Sequence, residues 1–352
     1  MSVDAPTYVQ RIAGNYLRNM APLPDAAPPG VAVLHALMAS LYRAAAEAPA
    51  DLGLPLHPDV LPRSGSRYNA ASRAVAAIPR LLYRVGRYGD PATRNGVACL
   101  RVAWVDLTAR ERREDTPNAA GLLDDLAPYG VRAAPVGDDA VCVSFPDAPD
   151  VAAALADLAT AADAFAKDDG EAPMLFSRVD ARLLTAPGHK APPITVDDAL
   201  RALDDASGDI LRTLDGAVTG LGYRPTARCT SLARGAWRAS YRHPRLGKTL
   251  FGYVVEEGVL TVRLLFDRTE RILPFILSSP EAVRASFLDS CACRDCGKCG
   301  VGPRSLYLDG ALRRLCSYGY HKHPNVAPDE VAALRMLLET QAQFLAADAE
   351  YA

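Results

Sequence analysis

Five of the chain's eight cysteines fall in its last fifth, and four of these lie within nine residues. They are Cys291, Cys293, Cys296 and Cys299, and Cys316 follows after a gap of sixteen residues. Clustered thiolates are soft ligands, and on a tight turn they select Zn²⁺ or an iron–sulfur cluster over Mg²⁺ or Ca²⁺. If they converge on one ion, the backbone around them must turn sharply and Cys316 must come back to meet the run. Cys293-Arg-Asp-Cys296-Gly-Lys has the form of a zinc knuckle, in which Gly297 lets the chain turn and amide N–H groups face sulfur.

Cys299 and Cys316 can complete a four-thiolate site, with Cys291 as a fifth thiol or as a replacement for Cys299. His321 and His323 are spare candidates. A short hairpin across Asp309-Gly310 would carry Cys316 back. Four thiolates close the coordination sphere, so the expected role of Zn²⁺ is structural. The same residues support a second reading. Cys293, Cys296 and Cys299 are spaced like the three-cysteine run of a [4Fe–4S] site, which would make the chain a redox or sensor protein. A ferredoxin would place its fourth cysteine where this chain has Pro303, so that ligand would be Cys316 or Cys291.

The tail runs from the cysteine cluster through Asp309-Gly310, Cys316-Ser-Tyr, His323-Pro-Asn and Asp329-Glu330 to a closing helix. It resembles the cysteine-rich ends of certain uncharacterised bacterial α+β proteins over about 60 residues. The resemblance implies that the cysteines act together as a unit.

Charge is unevenly spread. Asp138 to Gly216 holds 16 acidic and 6 basic residues, whereas Ala217 to His323 holds 8 acidic and 17 basic. Within the second stretch, Leu221 to Leu250 has seven basic residues and no acidic one. Arg234, Arg238 and Arg242 recur every four residues, and Trp237, Ala239, Tyr241 and His243 alternate with them. That alternation predicts a strand with aromatics inward and arginines outward. Such a face suits an anionic partner, either an acidic protein surface or nucleic acid, or it is a solvated or ion-paired ladder. The net charge of −2 gives no bulk attraction to nucleic acid or membrane.

The remaining pattern predicts an α+β fold. Residues 1–94 read as a helical region, with helices from Tyr8, Val31 and Asn69, the last bent or ended at Pro79. Arg73, Arg80, Arg84 and Arg87 on it read as a solvated face. Residues 95–186 read as a small α+β unit. It has a strand over Val97–Leu107, a helix over Ala119–Leu126, and strands at Val131–Val136 and Ala140–Phe145 around Gly137-Asp-Asp. An alanine-rich helix over Val151–Ala166 follows.

A linker precedes the third unit, residues 193–352. Its opening helix is capped by Thr195 with Asp198 three residues on, and three antiparallel strands span about 235–266. The cysteine module occupies 291–323, and a last helix begins at Pro328. Cys99 and Cys142, in apolar strands, read as core residues.

No stretch is apolar enough to span a membrane, and Met1 to Pro6 lacks the pattern of a signal peptide, so a cytoplasmic protein with reduced thiols is expected. No glycine-rich phosphate loop, GxSxG or HExxH motif occurs. An enzyme would have to place its site between the central and C-terminal units, where sequence motifs do not reveal it.

Overall fold

The computed structural model describes residues 6–108, 118–167, 171–186, 194–266, 269–288, 304–308, 310–315 and 320–350. The chain is α+β, and its contacts gather into two units. The first is Met1–Pro193 with Leu232–Arg234; the second is Ile194–Ser231 with Gly235–Ala352.

In the first unit, α1 (Tyr8–Arg18), α2 (Pro29–Glu47) and α3 (Gly65–Tyr88) appear where apolar periodicity predicts them. Thr7 and Gln10 cap α1 reciprocally. The Thr7 N–H donates to Gln10 Oε1 at 2.8 Å, and the Gln10 N–H to Thr7 Oγ1 at 3.2 Å. Helix α3 continues through Pro79 rather than ending there, because Ile78, Leu81 and Leu82 are fully buried around it and their burial outweighs the lost backbone hydrogen bond.

Asn95 and Gly96, both at positive φ (51° and 78°), join β1 (Asp90–Arg94) to β2 (Val97–Ala103) in a tight hairpin. The expected boundary between residues 94 and 95 therefore falls inside one hairpin. Strand β2 stops at Ala103 and gives way to α4 (Trp104–Thr108), where the sequence predicts strand through Leu107. After α5 (Ala119–Asp125), β3 (Arg132–Val136) and β4 (Ala140–Ser144) complete an antiparallel sheet of order β1-β2-β4-β3.

Helices α6 (Asp150–Phe165), α7 (Glu171–Ser177) and α8 (Arg182–Thr185) follow. Helix α6 crosses α3 at Gly86, where a Cβ would lie 2.4 Å from the Leu155 carbonyl oxygen. Any side chain there would push the two helices apart. Arg84, expected on a solvated face, is instead buried and donates to the Leu107 carbonyl at 2.9 Å. Its guanidinium serves as a backbone partner inside the packed unit.

The second unit opens with α9 (Val196–Leu200) and α10 (Asp205–Gly220), where the sequence predicts one helix. The Thr195–Asp198 cap forms as expected, with the Thr195 N–H donating to Asp198 Oδ2 at 2.8 Å. Asp204 then accepts from the Ser207 N–H at 2.7 Å and starts α10 afresh. Strands β5 (Arg224–Ser231), β6 (Ala236–Arg242), β7 (Thr249–Glu256) and β8 (Val259–Leu265) form an antiparallel meander.

Beyond the meander lie α11 (Thr269–Leu277), α12 (Glu281–Leu288) and a hairpin of β9 (Arg304–Leu308) and β10 (Ala311–Leu315). Strand β11 (Tyr320–Pro324) then returns to pair with β8, and α13 (Val331–Glu350) closes the chain. The sheet order is β11-β8-β7-β6-β5. The expected three strands are its centre, and both edges escape the sequence reading.

Trp237, Tyr241, Phe251, Tyr253, Val262 and Leu264 are buried on one face of this sheet. Helices α10 and α13 pack on each other, and also against β8 and β7 respectively. Burying side chains of this size stabilises the unit by about 1.5–3 kcal/mol each.

Candidate functional site: the cysteine module and the sheet that carries it

Cys291, Cys293, Cys296, Cys299 and Cys316 all lie outside the described residues, and so do Asp309 and the rest of 289–303 and 316–319. The structure describes what these two segments connect. Their outer ends leave from α12 and enter β11. There the Ser286 hydroxyl donates to the Lys322 carbonyl, and the Phe287 and His321 rings lie 4.6 Å apart. Their inner ends meet at the base of the β9–β10 hairpin, where Leu315 pairs with Arg304. Strands β9 and β10 pair on either side of residues 309–310, where the sequence predicts a short hairpin.

The described residues that flank the two segments therefore meet at the same two places. The segment with Cys316 is only four residues long, so it spans at most about 18 Å counted Leu315 to Tyr320.

His321 and His323 are described, and they are not loop residues. They occupy β11 opposite Leu264 and Val262, on the buried face, at 1% and 5% exposure. His321 is packed between the rings of Phe266, at 5.1 Å, and Phe287. Among the described residues neither of its ring nitrogens has a hydrogen-bond partner. Burial holds the His321 imidazole down to about 3, with the neighbouring His323 adding to the effect, and burial holds His323 down to about 4. Both rings are therefore neutral at physiological pH, the form in which imidazole ligates metal. Among the described residues no group of three or more His, Cys, Asp or Glu is placed to hold a metal ion. The strand around these histidines escapes sequence reading because Tyr-His-Lys-His-Pro is short, polar and ends in proline.

The arginine series divides. Arg238 and Arg242 lie on β6, exposed, on the face opposite Trp237, Ala239 and Tyr241, as the alternation predicts. Arg234 lies outside the strand, in the turn between β5 and β6, with its guanidinium 5.6 Å from the centre of the Tyr68 ring. A spacing of four along the chain does not extend one strand face through a turn. The inner face holds a second polar group that no motif announces. The Tyr241 hydroxyl donates to Asp215 of α10, and burial raises the Asp215 carboxyl above its usual range, with Asp197 adding to it and the Tyr241 hydrogen bond opposing.

Cys99 and Cys142 are buried free thiols, as expected, and so is Cys229. Burial, with Cys142 beside it, pushes the Cys99 thiol up to about 11, which makes it a poor nucleophile at neutral pH. Among the described residues no helix is long and apolar enough to cross a membrane. Comparison with protein-family models, with curated proteins and with solved structures gives no match.

Proposed function

We propose that the C-terminal unit is a metal-binding module in which Zn²⁺ held by cysteine thiolates ties the 289–303 segment to the 316–319 segment. The supporting observation is the shared pair of anchor points: the α12–β11 junction at one end and the paired base of the β9–β10 hairpin at the other. Two segments whose flanking residues meet at the same two places, with five thiols between them, supply the donor set that Zn²⁺ prefers. Cys293, Cys296, Cys299 and Cys316 form the ligand set of this reading, with Cys291 able to replace Cys299. His321 is the nearest described nitrogen donor to the module by chain position, five residues from Cys316.

The ion supplies cohesion. Four thiolates leave no open position for water, so binding free energy becomes folding free energy for a stretch with few apolar residues. Thiolate ligation of this kind belongs to a reducing compartment.

Elemental analysis of the purified full-length chain is the test. About one zinc per chain, falling sharply in Cys296→Ser, is the expected result. A brown, oxygen-sensitive protein carrying iron would replace zinc with the [4Fe–4S] reading. Protein with neither element after anaerobic purification would remove the metal altogether.

A further inference from the structure

The face of the five-stranded sheet opposite the aromatic core repeats one unusual arrangement. Residues paired directly across neighbouring strands share a face, and three such pairs on this face are like-charged. Arg224 stands opposite Arg242 and Arg228 opposite Arg238 across β5 and β6, and Arg263 stands opposite Lys322 across β8 and β11. Like charges directly opposite each other destabilise a sheet. Arg224, Arg228, Arg238 and Arg242 are exposed, and among the described residues no ion pair offsets any of the four. Arg242 donates to the Gly247 carbonyl, at 2.9 Å. The two arginine pairs sit four residues apart along β5, about 13 Å at strand rise. That is too far for one small anion to satisfy both.

The neighbours on this face narrow the choice of polyanion. Thr226 and Ser240 lie between the arginine pairs, and Gly252 and Val254 continue their rows onto β7. None offers an aromatic ring on which an unpaired base could stack, because Trp237, Tyr241 and Tyr253 all point to the core. None offers the large apolar anchor around which protein interfaces are built. What remains is a plane of guanidinium forks with hydroxyls between them, which suits phosphate oxygens on a ligand that presents backbone alone.

We propose that the outer face of the β5–β6 half of this sheet binds the phosphate backbone of double-stranded nucleic acid, without reading its sequence. The chain's overall charge of −2 does not oppose this, because acidic residues more than about 8 Å from the face are screened at physiological salt. The proposal rests on the sheet alone and stands whether or not the cysteine module holds zinc.

Fluorescence anisotropy of the full chain with a short labelled DNA duplex, across a series of salt concentrations, tests it. Four phosphate contacts predict a log–log salt slope of about −3.5. Arg228→Gln with Arg238→Gln should weaken binding at low salt by more than tenfold and make the slope shallower by about 2. Its thermal midpoint should not fall, since a like-charge pair is removed; Arg224→Gln with Arg242→Gln provides a second, independent pair. Three results would overturn the proposal: no duplex binding at low salt, a wild-type slope in both double variants, or tighter binding of the single strand or of polyglutamate than of the duplex. The last would assign the face to an acidic protein partner if polyglutamate wins.

Discussion

The two faces of the five-stranded sheet come from the same strands and differ completely in what holds them. Trp237 and Arg238 are consecutive in β6, yet one is 1% exposed in the aromatic core and the other faces water opposite a second arginine. On the inner face the large side chains are held by packing. On the outer face the four arginines of β5 and β6 lack ion pairs among the described residues, and the sheet tolerates their repulsion because the inner face supplies the stability. The comparison teaches that in this unit folding and recognition are separated by a period of two residues.

The sharpest way to break that separation is to exchange the two neighbours' roles. Trp237→Ala should cost about 3–5 kcal/mol by opening a cavity in the core, measured as a shift in the urea unfolding midpoint. If it costs no more than a surface substitution, the inner face does not carry the unit.

Next come the two buried histidines. Their folded-state values lie below the ordinary 6.5, at about 3 for His321 and about 4 for His323. The unfolded chain therefore binds more protons between those values and 6.5. Their contribution is fully present above 6.5 and is lost as pH falls towards 4 and 3. Between pH 7 and pH 5 each should remove about 2 kcal/mol. Urea midpoints measured across this range with chelator present should show the loss, and His321→Phe should flatten it.

A smaller effect is expected at Tyr241. Tyr241→Phe leaves Asp215 half-buried without its donor and should cost about 1–2 kcal/mol in the same unfolding assay. The smallest is Arg238→Ala, within about 0.5 kcal/mol of the parent by thermal unfolding, and stabilising rather than destabilising if the facing Arg228 repels it.

Side-chain periodicity exposed much of this architecture in advance. The apolar stripes of α1, α2 and α6, the Thr195–Asp198 cap, the three central strands of the second sheet and the outward set of Arg238 and Arg242 all follow from local pattern, because each is decided by residues within one turn or one strand. The edges do not. Strand β5 carries Pro225 and exposed arginines, and β11 carries two histidines and a proline; neither has strand propensity, and each is a strand because a central strand offers it a ladder of hydrogen bonds. Arg84 likewise reads as a surface residue until α3 buries it beneath the Leu107 carbonyl.

The cysteine spacing was written in the chain from the start, and it names a class of ligand because coordination chemistry depends on which atoms are near one another in a short segment. That the segments bearing those thiols leave from one junction and meet at one hairpin base depends on pairings between residues far apart in sequence, Leu315 with Arg304 and Phe287 with His321. The same holds for the facing arginines. Seven cations between Leu221 and Leu250 are visible in the composition. Their opposition, arginine to arginine across two strands, exists only once register is set, and register is chosen by the burial of Trp237 and Tyr241 on the other face.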